Sequence, residues 1–291
     1  MNLEMFDERK CTLGEGPTSS GTSNNNIMWV DIIGKKILTR DLVSGITSEK
    51  LFEEEVGFAL PGQDAGVVIG LASGTKFVTS DGRELNLPSW RTITPDAPGI
   101  PVRWNDAKIS PHLQLYAGTM AFDATAGAGG LYRINSAGQN IDELISKVSI
   151  SNGLDWSPDS KKFYYIDTLK YSVTQYDHDE TGISNPKTLI SFDHGDVLPD
   201  GMCVDAEGGL WVAFWNGGCI NRYEPTGSLS EKIAIPVKNV TSCAFGGSDL
   251  DTLIITTAAL TDEDNPKSGM TFMVKPGVSG QGFNLYPNPL A

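Results

Sequence analysis

Residues 151–168, SNGLDWSPDSKKFYYIDT, decide the fold. The apolar run KKFYYIDT around Tyr165 reads as a strand, and it follows a polar-glycine pair, Asn152-Gly153. The same kind of strand recurs in NNNIMWVDI around Trp29, LQLYAGTM around Tyr116, GGLWVAFW around Trp211 and DTLIITTA around Ile255, with a weaker copy in AGVVIGLASG around Val68. After each comes a stretch that alternates apolar with polar residues and ends in a turn, as a half-buried hairpin strand does. These stretches are KKILTRDLVSG, GTKFVTSDGRE, GGLYRINSAG, KYSVTQYDHDETG, GCINRYEPTG and GMTFMVKPG. Six pairs repeat at about 40 to 48 residues, the period of a four-stranded propeller blade.

A sandwich would show many strands without a shared unit, and an α/β fold would need helical patterns between them. Thirty-two Gly and sixteen Pro also break long helices, so helices should be few and short. The prediction is all-β: a six-bladed β-propeller of about four antiparallel strands per blade, in one domain spanning 1–291. The first residues are expected to add a strand to the last blade and close the ring. TITPDAPGIPV reads as a loop between blades.

Superposing the six units on their apolar strands makes the position about 12 residues upstream equivalent in every blade, at the start of the strand nearest the axis. Glu15, Gly57, Asn105, Asn152, Asp200 and Ser242 occupy it. Taken singly, Asn152-Gly153 and Asp200-Gly201 are tight-turn dipeptides. Taken together, Glu15, Asn105, Asn152 and Asp200 offer four carboxylate or amide oxygens at one height around a narrow channel. Two carboxylates converging there would repel each other and lose hydration, a conflict that a hard divalent cation resolves. An all-oxygen set suits calcium, magnesium or manganese.

The formal charge of -14 excludes nucleic acid and anionic membrane surfaces as partners, since both are polyanions. No apolar run reaches a membrane span, and MNLEMFDERKCTLGEG lacks the regions of a signal peptide, so a cytoplasmic protein is expected. Cys11, Cys203, Cys219 and Cys243 show neither CxxC nor a nearby His pair, and buried free thiols are expected. His112, His178 and His194 lie in polar surroundings and are read as surface residues. Asp167 and Asp205 are read as turn-holding scaffold residues, and Trp156 and Trp211 as packing between blades.

LGEGP, RWNDAKISP followed by AGTM, SNGLDWSPDSKKFYYIDT, PDGMCVDAEGGLWVA and VTSCAFGG, in this order, resemble the signatures of the senescence marker protein 30 family, which comprises gluconolactonase, regucalcin and luciferin-regenerating enzymes. The resemblance runs from about residue 11 to the C-terminus. It implies a six-bladed propeller with one divalent ion on Glu15, Asn152 and Asp200, and Arg103 and Asn105 as substrate contacts. Asp123 in GTMAFD falls where relatives place an acidic residue that meets sugar hydroxyls, one carbon shorter than the Glu of regucalcin. The segment PTSSGTSNNNIMWVD departs from the family in lacking the Trp that often follows its Gly-Pro.

The activity so implied is hydrolysis of a sugar lactone to the aldonic acid. The ion polarises the carbonyl and activates water, and Asp200 doubles as ligand and general base. Calcium is the expected ion, with zinc, manganese, magnesium and iron also able to enter such a site. Arg103 would steady negative charge on the tetrahedral intermediate, and Asn105 would add a donor. The chain has no G-x-S-x-G elbow, no H-E-x-x-H and no Walker loop, which agrees with a reaction that needs no serine nucleophile. Two other readings use the same site: a phosphotriesterase-like hydrolase, and a non-enzymatic calcium-binding regulatory protein.

Overall fold

The computed structural model describes residues 2–21, 23–93 and 99–291; residues 94–98 of the inter-blade loop expected at TITPDAPGIPV lie outside these. Among the described residues twenty-four strands form six four-stranded antiparallel sheets, the blades of a propeller. The innermost strands are Gly14–Ser19, Val56–Pro61, Val102–Ile109, Ser151–Trp156, Leu198–Val204 and Asn239–Gly246, and they number the blades 1 to 6. Glu4–Asp7 pairs antiparallel with Thr271–Val274 and completes blade 6, so the ring is closed by its N-terminal strand as the sequence predicts. Helix is confined among the described residues to three 3₁₀ turns, Gln63–Ala65, Trp90–Thr92 and Thr168–Lys170. Among the described residues no helix is long and apolar enough to cross a membrane.

Alternation along the strands places apolar side chains on both faces of each blade, and neighbouring blades bury them against one another. Six apolar clusters result, one at each blade boundary. Trp104 meets Phe58 of blade 2 edge-on at 5.9 Å, Trp156 meets Tyr116 of blade 3 at 5.1 Å, and Trp211 meets Phe245 of blade 6 at 6.1 Å. Trp156 and Trp211 thus pack between blades as expected.

Asp205, fully buried, accepts hydrogen bonds from the Gly209 N–H, Trp211 Nε1 and Arg222 Nε at 2.8, 2.9 and 2.8 Å. Asp167 accepts from the Ser149 and Ile150 N–H groups. Both aspartates therefore tie backbone, as scaffold residues do. All four cysteines are buried and free.

His178 corrects the sequence reading. It is buried against Trp156 and Tyr116, with Nδ1 bonded to the Ser160 carbonyl at 2.8 Å and Nε2 without a partner. The polar neighbours Asp177 and Asp179 suggested a surface; strand alternation turns the imidazole the other way.

A further element was not anticipated. After its last strand the chain runs beneath the ring and ties the blades together through isolated bonds. Gly280 bridges Asp205 of blade 5, Gln281 Nε2 donates to the Trp156 and Val204 carbonyls, and Asn284 Nδ2 donates to the Ile109 carbonyl. Tyr286 bridges Gly62 of blade 2. Through these bonds the strap meets the last residues of the inner strands of blades 3, 4 and 5.

Candidate functional site

The position singled out by the repeat is where the inner strand of every blade breaks register. Pairing with the second strand shifts between Glu15 and Thr18, Val56 and Phe58, Trp104 and Ala107, Ser151 and Leu154, Pro199 and Met202, and Val240 and Ser242. A bulge leaves residues unpaired and re-aims their side chains, and here it does so six times at one height. Asn152-Gly153 and Asp200-Gly201 therefore lie inside strands and not at hairpin turns.

Two of these positions need glycine. A Cβ on Gly57 would stand 2.4 Å from the Trp104 carbonyl oxygen, so blade 2 has no room for a side chain there. One on Gly153 would stand 2.6 Å from the Met202 N and 2.9 Å from the Asp200 carbonyl oxygen, so glycine lets blades 4 and 5 meet beside the site.

Three of the predicted residues form a hydrogen-bonded chain. Arg103 Nη1 donates to the Trp104 carbonyl at 2.9 Å and to Asn105 Oδ1 at 2.7 Å. Asn105 Nδ2 donates to the Ser151 carbonyl at 2.8 Å and to Asn152 Oδ1 at 2.9 Å. Asn152 Nδ2 donates to Thr168 Oγ1 at 2.7 Å, which fixes the orientation of the amide.

Glu15 and Asp200 lie at the same break of register in blades 1 and 5. Both are buried, and neither carboxylate forms an ion pair. Burial, then the charges of Asp200 and Asp106, push the Glu15 carboxyl well above its usual range; a hydrogen bond from the Gly16 N–H at 3.1 Å opposes this only in part. Burial and the charge of Asp106 do the same to Asp200. Arg103 is lowered to about 10 by burial, against the pull of Glu15 and other carboxylates. Fully ionised, Glu15, Asp106 and Asp200 against one guanidinium leave two negative charges uncompensated in a low-dielectric channel, a cost that a divalent cation removes.

Among the described residues no three His, Cys, Asp or Glu side chains form a ligand cluster. The expected donor set, two carboxylates and an amide, is not of that kind, and its hard oxygens fit calcium or magnesium.

Asp123 stands apart. It is exposed, and its Oδ1 accepts bonds from the Thr125 N–H and Oγ1 at 3.0 and 2.7 Å within its own loop. Sequence reasoning missed Asp106 and Thr168. In a regular strand Asp106 would face away from Asn105; the bulge turns both inward, and only the adjacency Asn105-Asp106 hinted at it.

Comparison with known proteins agrees with this architecture. Regucalcin of Sus scrofa is 35% identical over 301 residues, covering 99% of this chain and 98% of its own. The structure of a luciferin-regenerating enzyme superposes with a TM-score of 0.88 at 30% identity, covering 99% of each chain. That of a calcium-binding protein, regucalcin, from Agrobacterium tumefaciens does so with 0.89 at 26% identity, covering 98% of this chain and 97% of its own. Residues 13–259 match the description SMP-30/Gluconolactonase/LRE-like region, and the chain belongs to that family.

Proposed function

We propose that this protein hydrolyses a sugar lactone to the aldonic acid on a single propeller domain spanning 1–291, with a divalent cation, calcium first, held by Glu15, Asn152 and Asp200. The observation that carries the reading is two buried carboxylates that form no ion pair and share one buried arginine, in a family that includes gluconolactonases. When bound, such an ion polarises an ester carbonyl and makes water a better nucleophile.

The chain's own groups supply the rest. Arg103 is anchored through one nitrogen to Trp104 and Asn105, and its remaining N–H groups are available to the lactone carbonyl, where negative charge grows as water adds. Asp200 takes the proton of the attacking water as the general base. The ring C–O bond then breaks and the departing oxygen takes a proton, giving the hydroxy acid. Asn105 holds Arg103 and Asn152 in register through opposite ends of one amide.

A second reading is favoured by the calcium-binding regucalcin structure: binding of the cation without turnover. A pH-indicator assay on five- and six-membered aldonolactones separates the two. Acid release that stops with chelator and returns on adding calcium, zinc, manganese or magnesium supports the lactonase. Metal binding without metal-dependent acid release on any lactone overturns it.

A further inference from the structure

Cys203 and Cys243 stand in the inner strands of blades 5 and 6, and their Sγ atoms lie 3.5 Å apart. Among the described residues this is the one contact between two thiols, although four free cysteines are present. The contact follows from how closely the two blades meet. A Cβ on Gly201 would stand 2.2 Å from Ser242 Oγ and 2.8 Å from the Thr241 carbonyl oxygen, so glycine is what lets the strands approach two residues before Cys203. Cys243 Sγ donates to the Trp211 carbonyl at 3.6 Å, which leaves the S–H of Cys203 to point at the Cys243 sulfur.

Both cysteines also line a cavity of about 100 Å³ that opens to solvent, with Lys108, Asp155, Gln281 and Asn284 on the same wall. Hydrogen peroxide, little larger than water, fits such a space. Nothing in the lactone chemistry argued above uses these thiols. Their contact with each other and their place on an open wall set them apart from cysteines that serve only as small apolar filling.

We propose that Cys203 and Cys243 form a dithiol site that hydrogen peroxide oxidises to a disulfide joining blades 5 and 6, and that a thiol reductant opens again. In the first step Cys203 Sγ attacks one peroxide oxygen, the O–O bond breaks, and the departing oxygen takes the Cys203 proton and leaves as water. Cys243 Sγ then attacks the sulfenic sulfur, the S–S bond forms, and the S–O bond breaks with the Cys243 proton leaving in a second water. The two thiols lose two electrons and the peroxide gains them. Burial and Cys243 hold the Cys203 thiol well above its usual range while Lys108 pulls it down, so the first step is the slow one. The second joins sulfurs already in contact and is fast, so the sulfenic acid does not accumulate. A bond between residues 40 apart restricts the unfolded chain, so the oxidised protein should be the more stable form. The inference does not rest on the lactonase reading or on its cation.

The test treats the folded, reduced protein with hydrogen peroxide, alkylates it with iodoacetamide in urea, and maps it by mass spectrometry after chymotrypsin, which separates Cys203 from Cys219 at Trp211, Phe214 and Trp215. Wild type, Cys243→Ser and Cys219→Ser are compared, and thermal unfolding is recorded before and after oxidation. Wild type should lose two of its four alkylatable thiols, yield one cross-linked pair carrying Cys203 and Cys243, and regain both thiols with dithiothreitol. Its unfolding temperature should rise by several degrees on oxidation and return on reduction. Cys219→Ser should behave as wild type. Cys243→Ser should show no rise, and its Cys203 should be trapped by dimedone as the sulfenic acid. Cys203 and Cys243 both still alkylatable after peroxide would overturn the proposal, as would a cross-link that forms only when peroxide is added in urea. So would a cross-link through Cys11 or Cys219, or a cross-linked wild type that unfolds no later than the reduced protein.

Discussion

Thr168 Oγ1 accepts from Asn152 Nδ2 at 2.7 Å and donates to the carbonyl of Pro199 at 2.9 Å, so one hydroxyl links the amide of blade 4 to the residue before Asp200 in blade 5. Asn105 secures the other end of that amide. Thr168→Val keeps the shape and deletes both bonds, leaving a buried amide N–H and a buried carbonyl unpaired. We expect a stability loss of about 1–3 kcal/mol. Calcium affinity should fall by about 10-fold or more, as for other groups that orient ligands. Urea unfolding and calorimetric titration measure the two effects.

Gly153 stands where blade 4 meets the backbone of Asp200 and Met202 in blade 5. In Gly153→Ala the new methyl meets backbone atoms of Asp200 and Met202, which cannot rotate away. The strands must separate, with a loss of about 1–3 kcal/mol. Asn152 and Asp200 move apart with them, so ion affinity should fall further than for a substitution of equal size elsewhere. Alanine at Gly82, where no atom lies within 4 Å but φ is +86°, is the comparison that isolates backbone strain from crowding.

The scaffold has its own weak point in Asp205, whose partner Arg222 is also buried. Asp205→Ala leaves Arg222 Nε and the Trp211 indole N–H without their acceptor, while the Arg222 Nη groups keep Glu207 and Glu224. Each buried donor left without a partner costs about 1–3 kcal/mol. The unfolding midpoint should drop accordingly, while ion affinity of the folded fraction stays near that of wild type.

His178 makes stability depend on pH. Burial, opposed by its bond to Ser160 and helped by the nearby His112, holds its pKa below the usual 6.5. The folded protein then binds fewer protons at this site than the unfolded chain, so stability is full above about 6.5 and is lost as pH falls toward the depressed value. Asp179 pulls the pKa up and Arg133 pushes it down, and neither reverses the direction. His178→Gln should flatten the stability profile through this window, measured as unfolding free energy at a series of pH values.

How much of this was legible follows from what repetition can and cannot encode. The six units, the closing N-terminal strand and the shared height of Glu15, Asn105, Asn152 and Asp200 were readable because alternation and period survive in each copy. The bulges were not, since they leave no mark in hydrophobic pattern, and without them Asp106 reads as facing away from the axis. Gly57 in blade 2 read as an empty position; the reason is the Trp104 backbone of the next blade, a contact between distant segments. The strap from Gly280 to Tyr286 has no periodicity at all, because it forms single bonds to one blade after another. His178 was misread because its neighbours along the chain are polar and its neighbours in space are aromatic.

The central claim is that one cation joins Glu15, Asn152 and Asp200, and diffraction from crystals grown with calcium, at a wavelength where calcium scatters anomalously, tests it most directly. The account predicts one anomalous peak on the channel axis, with oxygens of all three side chains about 2.3–2.6 Å away. An empty channel, or a peak elsewhere on the molecule with these three side chains unmoved, would contradict it.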